Sequence, residues 1–430
     1  PGDSAYYVIP NSQFNAEYTS KVHSNTPLPI KTCIPVDRYT AFLAHYDVTD
    51  EESLFGIVPT SNVSTLRPFE GKYGGAVAIE ESTTNYMYQP VGSWNSTPVG
   101  TDISTWMTYP VYYSDGKTGG SGFYHQNNAT VELPVGGIAT YSMWINRGNA
   151  NKFPGFYLQG SIYDTATSTW ISKDPVHGYT TRVFQYFDRY GNSLGSSLDY
   201  ATFNDWVKVI VTITNTHTDN IRLTNVYFLD FNYTSGRCYH SQPQMEIKSF
   251  ATSFTTSSRS SGVLGYPVDK TIWEGSFSFT IWTKLFTKIG WRMPAGTWGK
   301  WYFAWNSGSS NSLVVSWIEN GSQVSYSVSV TGLDCMNWNF IGFTYDRPNK
   351  TIRIYANGKL VGTKTSTDLN ATSYADLGIG TIAGGDTSYV LNGLVDEVRI
   401  DRRIVSDDEI EQWYLSQSPF FPKGVHRVYA

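Results

Sequence analysis

The stretch NWNFIGFTYDRPNKTIRIYANGKLVGT, residues 337–363, reads as two strand-like runs separated by an Asp-containing turn. The second run ends in Asn357-Gly358, the pair that best tolerates two successive left-handed residues and so favours a tight type I′ hairpin. Moving outward, FSFTIWTK (277–284) and LVDEVRI (394–400) are further strand-like runs. SDDEIEQWYL (406–415) alone looks helical. Ser406 with Glu409 three residues on has the spacing of a capping box, and Asp407, Asp408 and Glu409 lie where a helix dipole favours acids.

The same texture fills the middle of the chain. GIATYSMWINRG, FPGFYLQGSIYD, TRVFQYFDRYG, DWVKVIVTIT and IRLTNVYFLDFNY alternate, and turn signals such as RYGNSLG and THTDN separate them. Period two means one wet face and one buried face. In VKVIVTIT, Val207, Val209, Val211 and Ile213 fall on one side. Several short strands at regular spacing predict a β-sandwich. Composition agrees: aromatics are 16%, charged residues only 16%, and glycine is abundant at 38 residues, as turn-rich all-β chains require.

Other classes are disfavoured. A net charge of −5 without a basic run argues against nucleic acid as a partner. No apolar stretch approaches the ~20 residues needed to span a bilayer as a helix. The opening PGDSAYYVIP has neither the basic start nor the apolar centre of a signal peptide. Cys33, Cys238 and Cys335 are scattered without metal spacing, and buried free thiols are expected.

FSFTIWTK, the 337–363 stretch and LNGLVDEVRIDRRIVSDDEI, in that order, resemble a laminin-G-like, concanavalin-A-like jelly roll. In that family a leading strand and a glycine-marked strand precede the FSFTIWTK-type strand. Here those pieces stand as TAFLAHYDV and KYGGAVAIE, far upstream. The resemblance therefore implies an all-β protein in which a concanavalin-A-like jelly roll is split by an inserted second β-sandwich. The expected layout is an extended Pro-rich arm at 1–38, first jelly-roll strands at 39–87, an inserted carbohydrate-binding-module-like sandwich at 88–248, the rest of the jelly roll at 249–415, and a tail at 416–430. The inserted part is similar to galactose-binding-like modules. The junctions TTNYM and PQMEIKSFATSFTTSSRSSG resemble those of structural proteins of tailed bacteriophages, where a carbohydrate-binding-module-like sandwich is similarly placed before a laminin-G-like domain. That resemblance implies a non-enzymatic virion-surface component: a fibre, decoration or receptor-binding protein, in a homo-oligomer such as a trimer, touching other virion proteins and host glycans. A cell-surface carbohydrate-binding adhesin and a glycan-degrading enzyme are the rival readings.

Carboxylates, histidines and aromatics are the residue types that could carry chemistry here. Retaining glycosidases need two carboxyl groups ~5 Å apart, flanking the scissile bond. Asp396 and Glu397 are adjacent in a strand-like run, so strict alternation would send them to opposite faces, with Glu397 beside Arg399 on the wet one. The histidines are isolated, and no HExxH or G-x-S-x-G string occurs. No cofactor is expected; jelly rolls of this type often hold a structural calcium, for which Asp334 and Asp346 are the candidates. Aromatics are the better lead, because Trp stacks on sugar rings at little entropic cost. In GWRMPAGTWGKWYFAWN, Trp301, Phe303 and Trp305 share a face and belong to a core. Trp291 and Trp298 lie in a glycine-containing loop and are the carbohydrate-binding candidates, with Trp94 and Trp106 in loop-like sequence of the insert.

Overall fold

The computed structural model describes residues 6–8, 39–44, 59–67, 70–73, 75–87, 92–93, 99–106, 109–116, 121–151, 155–173, 176–198, 205–230, 235–288, 290–297, 301–308, 310–365, 368–369, 376–382, 389–416 and 426–428. Of the expected arm, only Tyr6–Val8 falls within them, paired antiparallel with His426–Val428. The rest of the arm, most of the tail, Cys33, Trp94 and Trp298 lie outside the described residues. The protein is all-β, with one α-helix, Asp407–Leu415, among the described residues.

The chain divides into two compact units: Pro1–Glu81 with Ser261–Ala430, and Ser82–Ser260. The second is thus inserted into the first. In the host unit the Gly262 N–H donates to the Glu80 carbonyl at 2.6 Å, so the chain departs and returns side by side. In the inserted unit Thr83–Thr84 pairs with Ser258–Arg259. That short stem makes the unit wider at both ends than the 88–248 span read from the sequence.

The host unit is a sandwich of two antiparallel sheets. One orders its strands Lys359–Lys364, Thr351–Ala356, Asn339–Asp346, Phe277–Leu285, Gly393–Asp401, Ala76–Ile79 and Thr65–Arg67, with Thr40–Ala44 also paired to Gly393–Asp401. The other runs Ser322–Ser329, Ser312–Glu319, Trp301–Asn306, Trp291–Thr297, Leu377–Ile379, Val263–Tyr266 and Ser61–Val63. Strands from before and after the insertion thus share both sheets. The core between them is aromatic: Trp301 lies 5.4 Å from Trp273 and 5.1 Å from Phe343, ring centre to ring centre. Trp301, Phe303 and Trp305 are fully buried there. Burial of each such side chain contributes roughly 1.5–3 kcal/mol. Asn357 and Gly358 both have positive φ, 47° and 80°, and join Ala356 to Lys359 in the expected two-residue hairpin. The helix begins with the expected capping box, Ser406 Oγ accepting from the Glu409 N–H and Glu409 returning to the Ser406 N–H.

Strict alternation fails in Gly393–Asp401. Trp282 pairs with Asp396 and Thr280 with Arg399, so Ile281 alone faces Glu397 and Val398. This is a β-bulge, with Glu397 at φ 50°. Val395, Val398 and Ile400 belong to the core between the sheets. Asp396 and Glu397 therefore do not divide between two faces, and Glu397 is not a solvent-facing partner of Arg399. Both carboxylates and Arg399 are 1% exposed. Arg399 instead grips Asp401 with two 2.8 Å hydrogen bonds and lies over the Trp413 ring at 4.3 Å.

The inserted unit is also a two-sheet sandwich. Its five-stranded sheet runs Thr169–Lys173, Gly155–Asp164, Ile221–Asp230, Ser121–Leu133 and Gly92–Ser93. Its seven-stranded sheet runs Ser193–Gly195, Thr180–Phe187, Val207–Asn215, Ile138–Asn146, Arg237–Glu246, Tyr109–Asp115 and Val99–Trp106. Val207–Asn215 alternates buried and half-buried along its whole length, as its sequence requires. Cys238 is buried in this core and Cys335 in that of the host, both as free thiols.

Candidate functional site

Trp291 opens the strand Trp291–Thr297 directly after Gly290, whose φ is 65°. It is 37% exposed, and no other described tryptophan is as open. Its cross-strand partner is Asn306, so an indole and a carboxamide stand side by side. Ser307 follows, donating through N–H and Oγ to the Gly290 carbonyl at 3.0 and 3.3 Å. Arg292 is paired with the buried Trp305 and so faces inward, where burial lowers its pKa and its Nη1 donates to the Val390 carbonyl; a bulge at Pro294 follows.

The neighbouring loops are tied together. Asn311 Nδ2 donates to the Val330 and Leu333 carbonyls at 3.0 and 2.9 Å, while its Oδ1 accepts from the Trp305 indole N–H at 2.9 Å. Lys288 bridges to Asp334 at 3.0 Å, and each holds the other charged: the Lys288 pKa is raised and that of Asp334 lowered. Sequence reading singled out Trp291 by its glycine context and placed it in a loop, whereas it opens a strand. It missed Asn306 and Asn311, whose roles come from register and turn geometry.

Trp106 ends the edge strand of the inserted unit's seven-stranded sheet. It stacks on Trp206 at 4.8 Å, meets Trp144 edge-on at 5.5 Å, and lies 5.3 Å from the Arg189 guanidinium. Arg189 is ion-paired with Asp205. Trp106 is thus half-buried in a cluster with neighbours on several sides.

The calcium candidates stand apart. Asp334 bonds Lys288 and accepts from the Met336 N–H; Asp346 closes its own turn, accepting from Asn349 Nδ2 at 2.8 Å. Among the described residues no three of His, Cys, Asp and Glu gather as a metal site would need.

The carboxylates Asp396 and Glu397 lie beneath Tyr73, whose N–H donates to Asp396 Oδ2 at 3.2 Å. Burial first, then Glu397 and Asp396, push the Tyr73 hydroxyl pKa upward. Lys72 sits 4.6 Å from the Trp282 ring, its pKa lowered by burial against the opposing pull of Asp396. A carboxylate pair closed off to this degree cannot flank a sugar chain.

Residues 260–411 match the concanavalin A-like lectin/glucanases superfamily. That span covers most of the host unit's share of the chain after the insertion. No curated protein matches the chain. Among solved structures, similarity extends to the Ruminococcus gnavus IT-sialidase CBM40 bound to alpha2,3 sialyllactose, at 16% identity and TM-score 0.28, covering 32% of this chain and 81% of that one. A botulinum neurotoxin type C structure, described as entering cells through two ganglioside molecules, is 18% identical at TM-score 0.30, covering 39% of this chain and 42% of that one. The native heptameric SAP-like pentraxin of Limulus polyphemus is 14% identical at TM-score 0.27, covering 32% and 69%. Likenesses this distant carry no functional weight.

Proposed function

We propose that the protein binds carbohydrate without catalysis, and that the host unit takes a sugar ring on Trp291. The supporting observation is the exposed indole of Trp291 in register with Asn306 on loops held by Asn311. A flat apolar face meets the C–H side of a pyranose, and an adjacent carboxamide can both donate to and accept from its hydroxyls. Trp298, Trp94 and Trp106 are the further carbohydrate-binding candidates. The finer reading is a virion-surface fibre, decoration or receptor-binding component in a homo-oligomer such as a trimer, touching host glycans and other virion proteins. It is supported by the order of the jelly-roll and insert motifs in the sequence.

A glycan array of the wild-type chain against Trp291→Ala tests the site. The expected result is a set of glycans whose binding weakens about tenfold or more, equivalent to about 1.4 kcal/mol. Equal binding by both proteins removes Trp291 from the site, and an array without any hit removes the reading. Release of reducing sugar from host polysaccharide would overturn the non-enzymatic part. Proteomics of purified particles tests the virion location, with recovery from a cell envelope instead favouring an adhesin.

A further inference from the structure

The inserted unit carries a second concave site that owes nothing to tryptophan. Asp115, Gly116, Asn149, Gly236, Arg237 and Tyr239 line a pocket of ≈ 500 Å³. It is a shallow recess, open to solvent over most of its area. Arg237 pairs in register with Asp115 across adjacent strands, and Nε and Nη2 donate to its two carboxylate oxygens at 2.6 and 2.8 Å. Both heads remain accessible, with 38% and 31% of their side-chain surface in solvent. The Arg237 guanidinium also lies 3.8 Å from the Tyr113 ring, which fixes its plane.

The walls are built to keep this arrangement. Asn149 Oδ1 accepts from the Arg237 N–H at 2.6 Å, leaving the amide nitrogen as a donor. The Asn151 N–H donates to the Ser235 carbonyl at 3.1 Å, and the Gly116 N–H to the Gly236 carbonyl at 2.6 Å. Gly236 has φ 84°, and a Cβ there would come within 2.1 Å of the Asn149 carbonyl oxygen. Only glycine lets these loops approach so closely.

We infer that this pocket is a second carbohydrate site of the protein, selective for a neutral pyranose with adjacent hydroxyls. The inference rests on the carbohydrate-binding reading above for its ligand class. Asp115 only accepts and Arg237 only donates, and a vicinal diol supplies both complements at once. The pair is already balanced in charge. An acidic sugar would meet Asp115 and a cationic one Arg237, so a net charge on the ligand gains nothing. Tyr239 supplies an apolar flank for the ring's C–H face.

The test titrates the full chain with the methyl glycosides of galactose, glucose, mannose and N-acetylglucosamine, and with methyl glucuronide. Saturation-transfer NMR gives the affinities. At least one neutral glycoside is expected to bind saturably. That binding should persist in Trp291→Ala and weaken about tenfold or more in Asp115→Asn and in Arg237→Lys, as loss of a hydrogen bond to a charged group predicts. Arg237→Lys keeps the charge and keeps the test readable should Asp115→Asn not fold. Binding that survives both pocket variants, tighter binding of the glucuronide, or binding abolished by Trp291→Ala would each overturn the second site. Array binding sensitive to Trp291→Ala, with no glycoside bound at the pocket, would overturn it while leaving the first site standing.

Discussion

Arg399 shows what a buried charge demands of its surroundings. It is fully enclosed, and Asp401 answers it with both oxygens while Thr40 Oγ1 bridges the two residues at 3.0 Å each. Taking two charges out of water is costly, so such a pair adds little net stability, but removing one partner leaves the other uncompensated. Asp401→Ala is therefore expected to destabilise the host unit by about 3–5 kcal/mol, read as a lower urea midpoint. A change under about 1 kcal/mol would mean that Trp413 and Thr40 suffice to hold the guanidinium. Two residues upstream lies the bulge at Glu397, which a reading by strict alternation misses. Val395, Val398 and Ile400 are spaced three and then two apart, which strict alternation cannot place on one face. The pocket pair was not legible. Asp115 and Arg237 are 122 positions apart in sequence, and only sheet register joins them.

Among the elements, the closing helix was the most readable, because its signal is local. Ser406, Glu409 and the acidic first turn all lie within four residues. Arg403 donates to Glu409 at 2.7 Å and is the main reason that the Glu409 pKa falls to about 2; the Ser406 contacts lower it further. The folded value lies below the unfolded one, so this contribution is present above about pH 4.5 and is lost as pH falls toward about 2. Urea titrations across that window should show wild-type stability declining more steeply than that of Glu409→Gln. Parallel slopes would show that Glu409 is not the titrating group. Strands were readable for a similar reason, since period two survives in any half-buried strand. The bulges at Pro294, Gln242–Pro243 and Glu397 were not, because one extra residue resets the count. Two of the three contain a proline, the residue that least fits a central strand, and that was the available signal.

The molecule as a whole is a host with a guest in its chain. The order of jelly-roll motifs made the split visible, because residues 39–85 are useless as strands without partners far downstream. The departing and returning segments are hydrogen-bonded in the host, Glu80 to Gly262, and the guest closes on its own stem. Each unit also has its own core. Replacing residues 82–260 with a short glycine-containing turn should thus leave a host that folds, with near-UV circular dichroism from its tryptophan core intact. Loss of that signal would show that the host needs its guest to fold.

The same junction fixes a load path. Tension applied at the two ends of the chain runs through the host, and the guest bears none of it while Glu80 and Gly262 stay together. The host must open before the guest is stretched at all. The Asp115–Arg237 pocket thus sits on the sheltered side of the mechanical circuit, where it would keep its shape after the host had begun to give.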